Sequence, residues 1–184
     1  MDSNENHLIF PLSKRISEVH MKEIILMRHA KSSWKDSELK DFDRPLNKRG
    51  KKDAPKMGKI LMEKDAVPDR ILSSSAKRAK STAKYVAKKL SFDDDVILMD
   101  ELYLAEPETI LNLLKTQSDE FKRIMIVGHN PGMEWFLQMV CGEVVSLPTA
   151  SVAQIQVPID HWNELNEDVE GELLNRWKPK KEDD

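Results

Sequence analysis

Apolar residues follow two alternating rhythms along the chain. EIILMR (23–28) reads as a fully buried strand, RILSS (70–74) and RIMIVGH (123–129) as two more, and SVAQIQV (151–157) alternates as a fourth. Between them, apolar positions recur at helical spacing in KKDAPKMGKILMEK from about 49, AKSTAKYVAKKL (79–90), PETILNLLKTQ from 107 and GMEWFLQMV from 132. VILMD (96–100) adds a short strand. Strand and helix in alternation predict an α/β fold: a three-layer sandwich with a mostly parallel central sheet and helices on both faces.

The chain has 184 residues, 40% of them hydrophobic, enough for one domain with its own core and short for two. That domain is placed at 21–178. Residues 1–20 show no period and precede a second methionine, Met21, so they are expected to form a flexible extension; residues 179–184 are a charged tail. No stretch has the length of a membrane span or the apolar core of a secretory signal. A single cysteine, Cys141, excludes an internal disulfide framework, and a cytoplasmic setting is expected. With 29 Lys and Arg against 32 Asp and Glu, no global field recruits nucleic acid or a membrane, so a bound anion needs a local cluster.

Such a cluster is found where the strands end. In an open α/β sheet, ligands bind beyond the carboxyl ends of the strands. Arg28 and His29 follow the first strand, Ser73 to Arg78 the second, and Gly128 to Asn130 the third. One histidine at a strand end is ordinarily a packing residue. The same chemistry at three successive ends predicts one crevice holding two arginines and two histidines. Arginine presents a rigid fork of donors suited to a phosphate, and two forks together call for a dianion. A neutral imidazole whose other nitrogen donates to a backbone carbonyl is a competent nucleophile, and His29 is placed for that role.

These residues lie in stretches that carry a resemblance. LMRHAKSSW, DFDRPLNKRGKKDA, SSSAKRAKSTA, ELYLA and IVGHNPGME resemble, in order and spacing, the motifs of the histidine phosphatase superfamily, the phosphoglycerate-mutase-like fold. Within it they are most similar to the SixA-type phosphohistidine phosphatase group, from about residue 22 to at least 157. The resemblance implies that His29 takes the phosphoryl group, that Arg28 and Arg78 form the phosphate pocket, and that His129 contacts the phosphoryl oxygens. Asn130, beside His129, is expected to join the phosphate-binding residues. Many relatives have glycine after the first histidine, where this chain has Ala30.

Other roles stay open on the sequence. Arg44 either pairs with Asp41 or Asp43 or reaches over the pocket, and Ser32 and Ser33 join it as a possible substrate loop. Trp34, with Ser33 and Lys35, is placed at the pocket entrance, and Thr149 can approach the phosphate. Glu101 is the expected general acid; Glu106 and Glu108 have the alternative task of capping the helix that starts at Pro107. No zinc spacing and no nucleotide-binding glycine motif is present, so no metal and no cofactor is expected.

The expected activity is that of a metal-independent phosphatase passing a phosphoryl group to His29 and then to water. The partner is a phosphorylated substrate, a phosphohistidine protein or a small phosphate ester, with no nucleic acid and no membrane. The alternatives are a mutase-like phosphoryl transferase and a non-catalytic phosphate-binding module.

Overall fold

The computed structural model describes residues 21–179, so the expected extension 1–20 and all but the first residue of the tail lie outside the described residues. Six strands form one sheet: β1 (Lys22–Arg28), β2 (Arg70–Ser74), β3 (Ile97–Met99), β4 (Arg123–Gly128), β5 (Val152–Val157) and β6 (Glu172–Trp177). Their spatial order is β3-β2-β4-β1-β5-β6. The pairs β3/β2, β2/β4 and β4/β1 are parallel, whereas β5 runs antiparallel to both of its neighbours. Strand β6 was not foreseen: it is a partly exposed edge strand of mixed polarity, without the apolar run or strict alternation of the others.

Four helices cover the sheet: α1 (Lys48–Glu63), α2 (Lys77–Leu90), α3 (Pro107–Lys115) and α4 (Gly132–Cys141). Alternate residues of the central strands feed two separate cores. Ile25, Met27, Ile71, Met125 and Val127 pack with Ala54, Met57, Leu61, Ala83 and Val86 of α1 and α2. Ile24, Leu26, Leu72, Ile124 and Ile126 pack with Ile110, Leu114, Phe136 and Leu137 of α3 and α4. Burial on both faces explains why these strands read as continuous apolar runs.

Two connections bring polar segments to one end of the sheet. The Asn47 side chain accepts a hydrogen bond from Gly50 N at 2.8 Å, capping α1 where the sequence placed its start. That turn lies against the loop after β1: a Cβ on Gly50 would stand 2.2 Å from the Lys31 carbonyl oxygen, so only glycine allows the approach. Gly132, the first residue of α4, meets the Ala105 carbonyl in the same way, at 1.7 Å from a Cβ position. The first contact seats the loop after β1 on the start of α1, and the second sets the loops after β3 and β4 against each other.

Candidate active site

Strands β2, β4 and β1 are parallel neighbours, so their carboxyl ends stand side by side. Ser74 ends β2, Gly128 ends β4 and leads into His129, and Arg28 ends β1 and leads into His29. Arg78 follows in the first turn of α2. Because β5 is antiparallel to β1, its start lies at the same end, which brings in Thr149. A cleft of about 360 Å³ opens there, lined by Arg28, His29, Lys31, Ser32, Trp34, Asp41, Arg44, Arg78, Leu104, His129, Asn130 and Thr149.

His29 is held in one tautomer. Its Nδ1 lies 2.8 Å from the Ala30 carbonyl oxygen, which can only accept, so Nδ1 carries the proton. Arg78 Nε donates to His29 Nε2 at 3.2 Å, which requires a lone pair on Nε2. Both contacts therefore leave Nε2 unprotonated, with its lone pair on the Arg78 side. Ala30 is fully buried and its N–H donates to Thr82 Oγ1 at 3.0 Å, fixing the backbone that sets the ring. Burial, opposed by the Ala30 hydrogen bond and reinforced by Arg78, Arg28 and Arg44, pushes the His29 imidazole down to about 4.

His129 faces it, with ring centroids 5.0 Å apart. Arg78 Nη2 lies 3.2 Å from His129 Nδ1, so Nδ1 accepts and Nε2–H donates to Ser74 Oγ at 2.9 Å. Burial first, then His29 and Arg78, push this ring down to about 3. Two neutral imidazoles thus share one guanidinium.

Both imidazoles are neutral in the fold but free to protonate near ~6.5 when unfolded. The unfolded chain therefore binds more protons below that value, and the fold loses stability as pH drops from about 6.5 towards 4. NMR titration of the two rings is expected to show no protonation between pH 8 and 5, with Tm lower at pH 5 than at pH 7. A midpoint near 6.5 for either ring contradicts this environment.

Arg28 donates from Nη1 to the Leu147 carbonyl at 2.9 Å, and its buried Nε has no partner within the protein. An unmatched guanidinium N–H beside a cleft suits an anionic ligand, since a buried donor left unpaired costs about 1–3 kcal/mol. Asn130 lines the cleft, but its amide donates to the Leu147 carbonyl at 3.0 Å and its Oδ1 is unpartnered.

Asp41 ties this chemistry to the loop after β1. Its carboxylate accepts from Arg78 Nη2 at 2.8 Å, Arg44 Nη1 at 2.6 Å and Tyr103 Oη at 2.7 Å, while its carbonyl accepts from Arg78 Nη1. Burial raises this carboxyl, yet the hydrogen bonds from Tyr103, Arg44 and Arg78 outweigh it and hold it at about 2. Arg44 both pairs with Asp41 and lines the cleft, joining the two roles left open by the sequence. It also donates to Ser32 Oγ at 2.6 Å and to the Ser33 carbonyl at 3.1 Å. Ser32 lines the cleft; Ser33 does not, and instead braces Arg44, the backbone of Lys35 and, through its N–H, the Pro45 carbonyl.

The expected acid is not brought in. Glu101 is exposed on the 3-10 turn Asp100–Leu102 and is not among the residues lining the cleft, because that turn buries Leu102 instead. Glu106 holds the N-cap position of α3 without a side-chain hydrogen bond. Tyr103 and Ser74 are contributors that sequence reasoning left without a role, and Asp41 was given only its pairing with Arg44. Asp41 and Tyr103 did stand inside the motifs DFDRPLNKRG and ELYLA. Cys141 lies outside the cleft lining, half-buried, and burial with Glu143 pushes its thiol up to about 11, far from a reactive thiolate. Among the described residues, no three His, Cys, Asp or Glu side chains form a metal-binding group, and no helix is long and apolar enough to cross a membrane.

Comparison with known proteins bears on this geometry. The family model of the histidine phosphatase superfamily, branch 1, matches residues 24–103. An uncharacterized chloroplastic protein of Arabidopsis thaliana is 34% identical over 152 residues, covering 78% of this chain and 70% of its own. Among solved structures, a candidate phosphohistidine phosphatase SixA from Agrobacterium tumefaciens superposes with a TM-score of 0.74 at 30% identity, covering 86% of this chain and 98% of that one. A protein histidine phosphatase SixA complexed with tungstate shares the fold, with a TM-score of 0.74 at 19% identity, over 85% and 97% of the two chains.

Proposed function

The chain belongs to the histidine phosphatase superfamily, in its SixA-type group, and we propose that it hydrolyses phosphoryl groups by way of a phosphohistidine on His29. The observation that carries this reading is the pair of hydrogen bonds on His29, from Nδ1–H to Ala30 and from Arg78 to Nε2. Together they keep Nε2 unprotonated among fixed cationic donors, with its lone pair held by Arg78 Nε until the phosphoryl group takes that donor's place. The Nε2 lone pair attacks phosphorus, the bond to the leaving group breaks, and the leaving group departs with that electron pair. Arg28, Arg44 and Arg78 offset the charge on the transferring oxygens, so positioning and electrostatics carry the step. Water then attacks the phosphoimidazole, releasing phosphate and restoring Nε2.

The leaving group takes up a proton, and the cleft's one carboxyl is a poor source. Asp41, at about 2, is ionised at neutral pH. This favours substrates whose leaving group departs without help from a carboxylic acid. A phosphoimidazole protonated on its second nitrogen departs as neutral imidazole, whereas an alkyl ester leaves as a strongly basic alkoxide. A phosphohistidine protein is therefore the substrate class proposed. Metal independence belongs to the same proposal, since the arginines supply the positive charge, as does the cytoplasmic setting, which rests on the lone Cys141.

Comparing kcat/KM for a phosphohistidine protein, an aryl phosphate and an alkyl phosphate, each with a chelator present, tests the reading. Hydrolysis of the first two with the alkyl ester slower by about 10² or more is expected, from the 10²–10⁴ that acid–base catalysis ordinarily contributes. An alkyl ester turned over as fast as the others, or activity lost to the chelator, contradicts it.

A further inference from the structure

Trp34 is 74% exposed, yet it lines the same cleft as His29 and stands on a built support. The Arg44 guanidinium lies 3.1 Å from the centre of its ring. Arg44 is itself buried and pinned by Asp41, Ser32 Oγ and the Ser33 carbonyl, so the cation beneath the indole is fixed. Nothing in the phosphoryl chemistry needs an aromatic ring there. Leaving so much indole in water forgoes the free energy of burying it, roughly 25 cal/mol per Å² of apolar surface. Leu104, 52% exposed at φ 52°, is held on the same cleft from the loop after β3, in a backbone region that a leucine rarely adopts.

We propose that Trp34 is a specificity-determining residue whose free indole face stacks on the planar ring of the leaving group, the imidazole of a phosphohistidine. This rests on the phosphatase reading above and adds to it how the leaving group is chosen. Arg44 occupies one face of the indole and holds it still, leaving the other face to the incoming ring. Flat-on-flat contact favours a planar leaving group over a compact one of similar departing ability. Leu104 supplies a second apolar contact at the rim.

The comparison that isolates the ring uses two reactive phosphoryl donors, free phosphohistidine and acetyl phosphate. Neither depends on a strong acid to depart, and only the first carries a ring. In Trp34→Ala and Trp34→Leu, the ratio of kcat/KM for phosphohistidine over acetyl phosphate is expected to fall roughly tenfold, mainly through KM. Trp34→Phe, which restores a flat ring, is expected to recover most of it. A ratio within twofold of wild type in both Ala and Leu variants, including equal losses on the two substrates, overturns the role of Trp34 and leaves the phosphatase reading standing. If the wild-type protein hydrolyses neither donor, the phosphatase reading falls and this inference with it.

Discussion

His29→Ala is expected to abolish turnover of every phosphorylated substrate, by about 10⁴-fold or more, on the scale set by removing a covalent nucleophile. The loss falls on kcat, because the groups that hold the phosphoryl oxygens remain: Arg28, Arg44 and Arg78 are anchored by Leu147, Ser32, Ser33 and Asp41 as well as by the cleft itself. Inorganic phosphate is accordingly expected to bind the variant still, which calorimetry can measure beside the rate. His29 is buried and neutral, so its removal takes away a ring and its two hydrogen bonds, to the Ala30 carbonyl and from Arg78 Nε, while Arg78 keeps its ion pair with Asp41. A variant that retains turnover within tenfold of wild type means that His29 is not the nucleophile.

Arg78→Ala is the second large effect, and it has two signatures. The guanidinium touches His29, His129 and Asp41 at once, so its loss removes the brace between both rings and, on the proposed mechanism, a transition-state clamp. Removing one fixed donor of this kind costs about 10²–10³ in kcat, roughly 2.7–4 kcal/mol. Arg78 also lowers the proton affinity of both imidazoles by its charge, so without it both titrate at higher pH than in the wild type. The acid limb of the rate profile therefore moves up as the rate falls. Lysine at this position keeps the charge but not the fork, and is expected to recover only part of the loss. A rate drop with no upward movement of either titration indicates that the residue acts outside the cleft.

The elements of the fold and site differ in how far the chain alone discloses them, for physical reasons. Strands β1, β2 and β4 are buried on both faces, so β1 and β4 carry runs of Ile, Leu, Met and Val, and β2 follows Ile71 and Leu72 with the buried Ser73 and Ser74. Their parallel order then makes the site legible, because Arg28, His29, Arg78 and His129 stand at ends that one sheet must bring together. Helix α1 announces its start through Asn47. Strand β6 announces nothing, since an edge strand with exposed Glu172 and Arg176 has little apolar pattern to show.

Asp41 marks the limit of sequence reading at the site. Its partners Arg78 and Tyr103 lie 37 and 62 residues away, and only the folded loop shows that one carboxylate joins them to Arg44. Pairing with Arg44 was visible from their closeness in sequence, but the link to the second arginine was not. The acid expected at Glu101 failed for a related reason: on a one-turn 3-10 segment, burial of Leu102 decides which residues face the protein, and periodicity does not reach that far. What those two residues reveal together changes the chemistry. The cleft has a carboxylate that clamps arginines, at about 2, in place of one that gives up a proton.

On the proposed mechanism a phosphoryl group passes through His29 Nε2. Rapid quenching of the wild-type protein during turnover of a labelled phosphoryl donor, followed by peptide mapping, tests it directly. Label is expected on His29, stable to base and labile to acid, and none in the His29→Ala protein. Label on Ser74 or Asp41, or label on His129 with His29 unmodified, contradicts it.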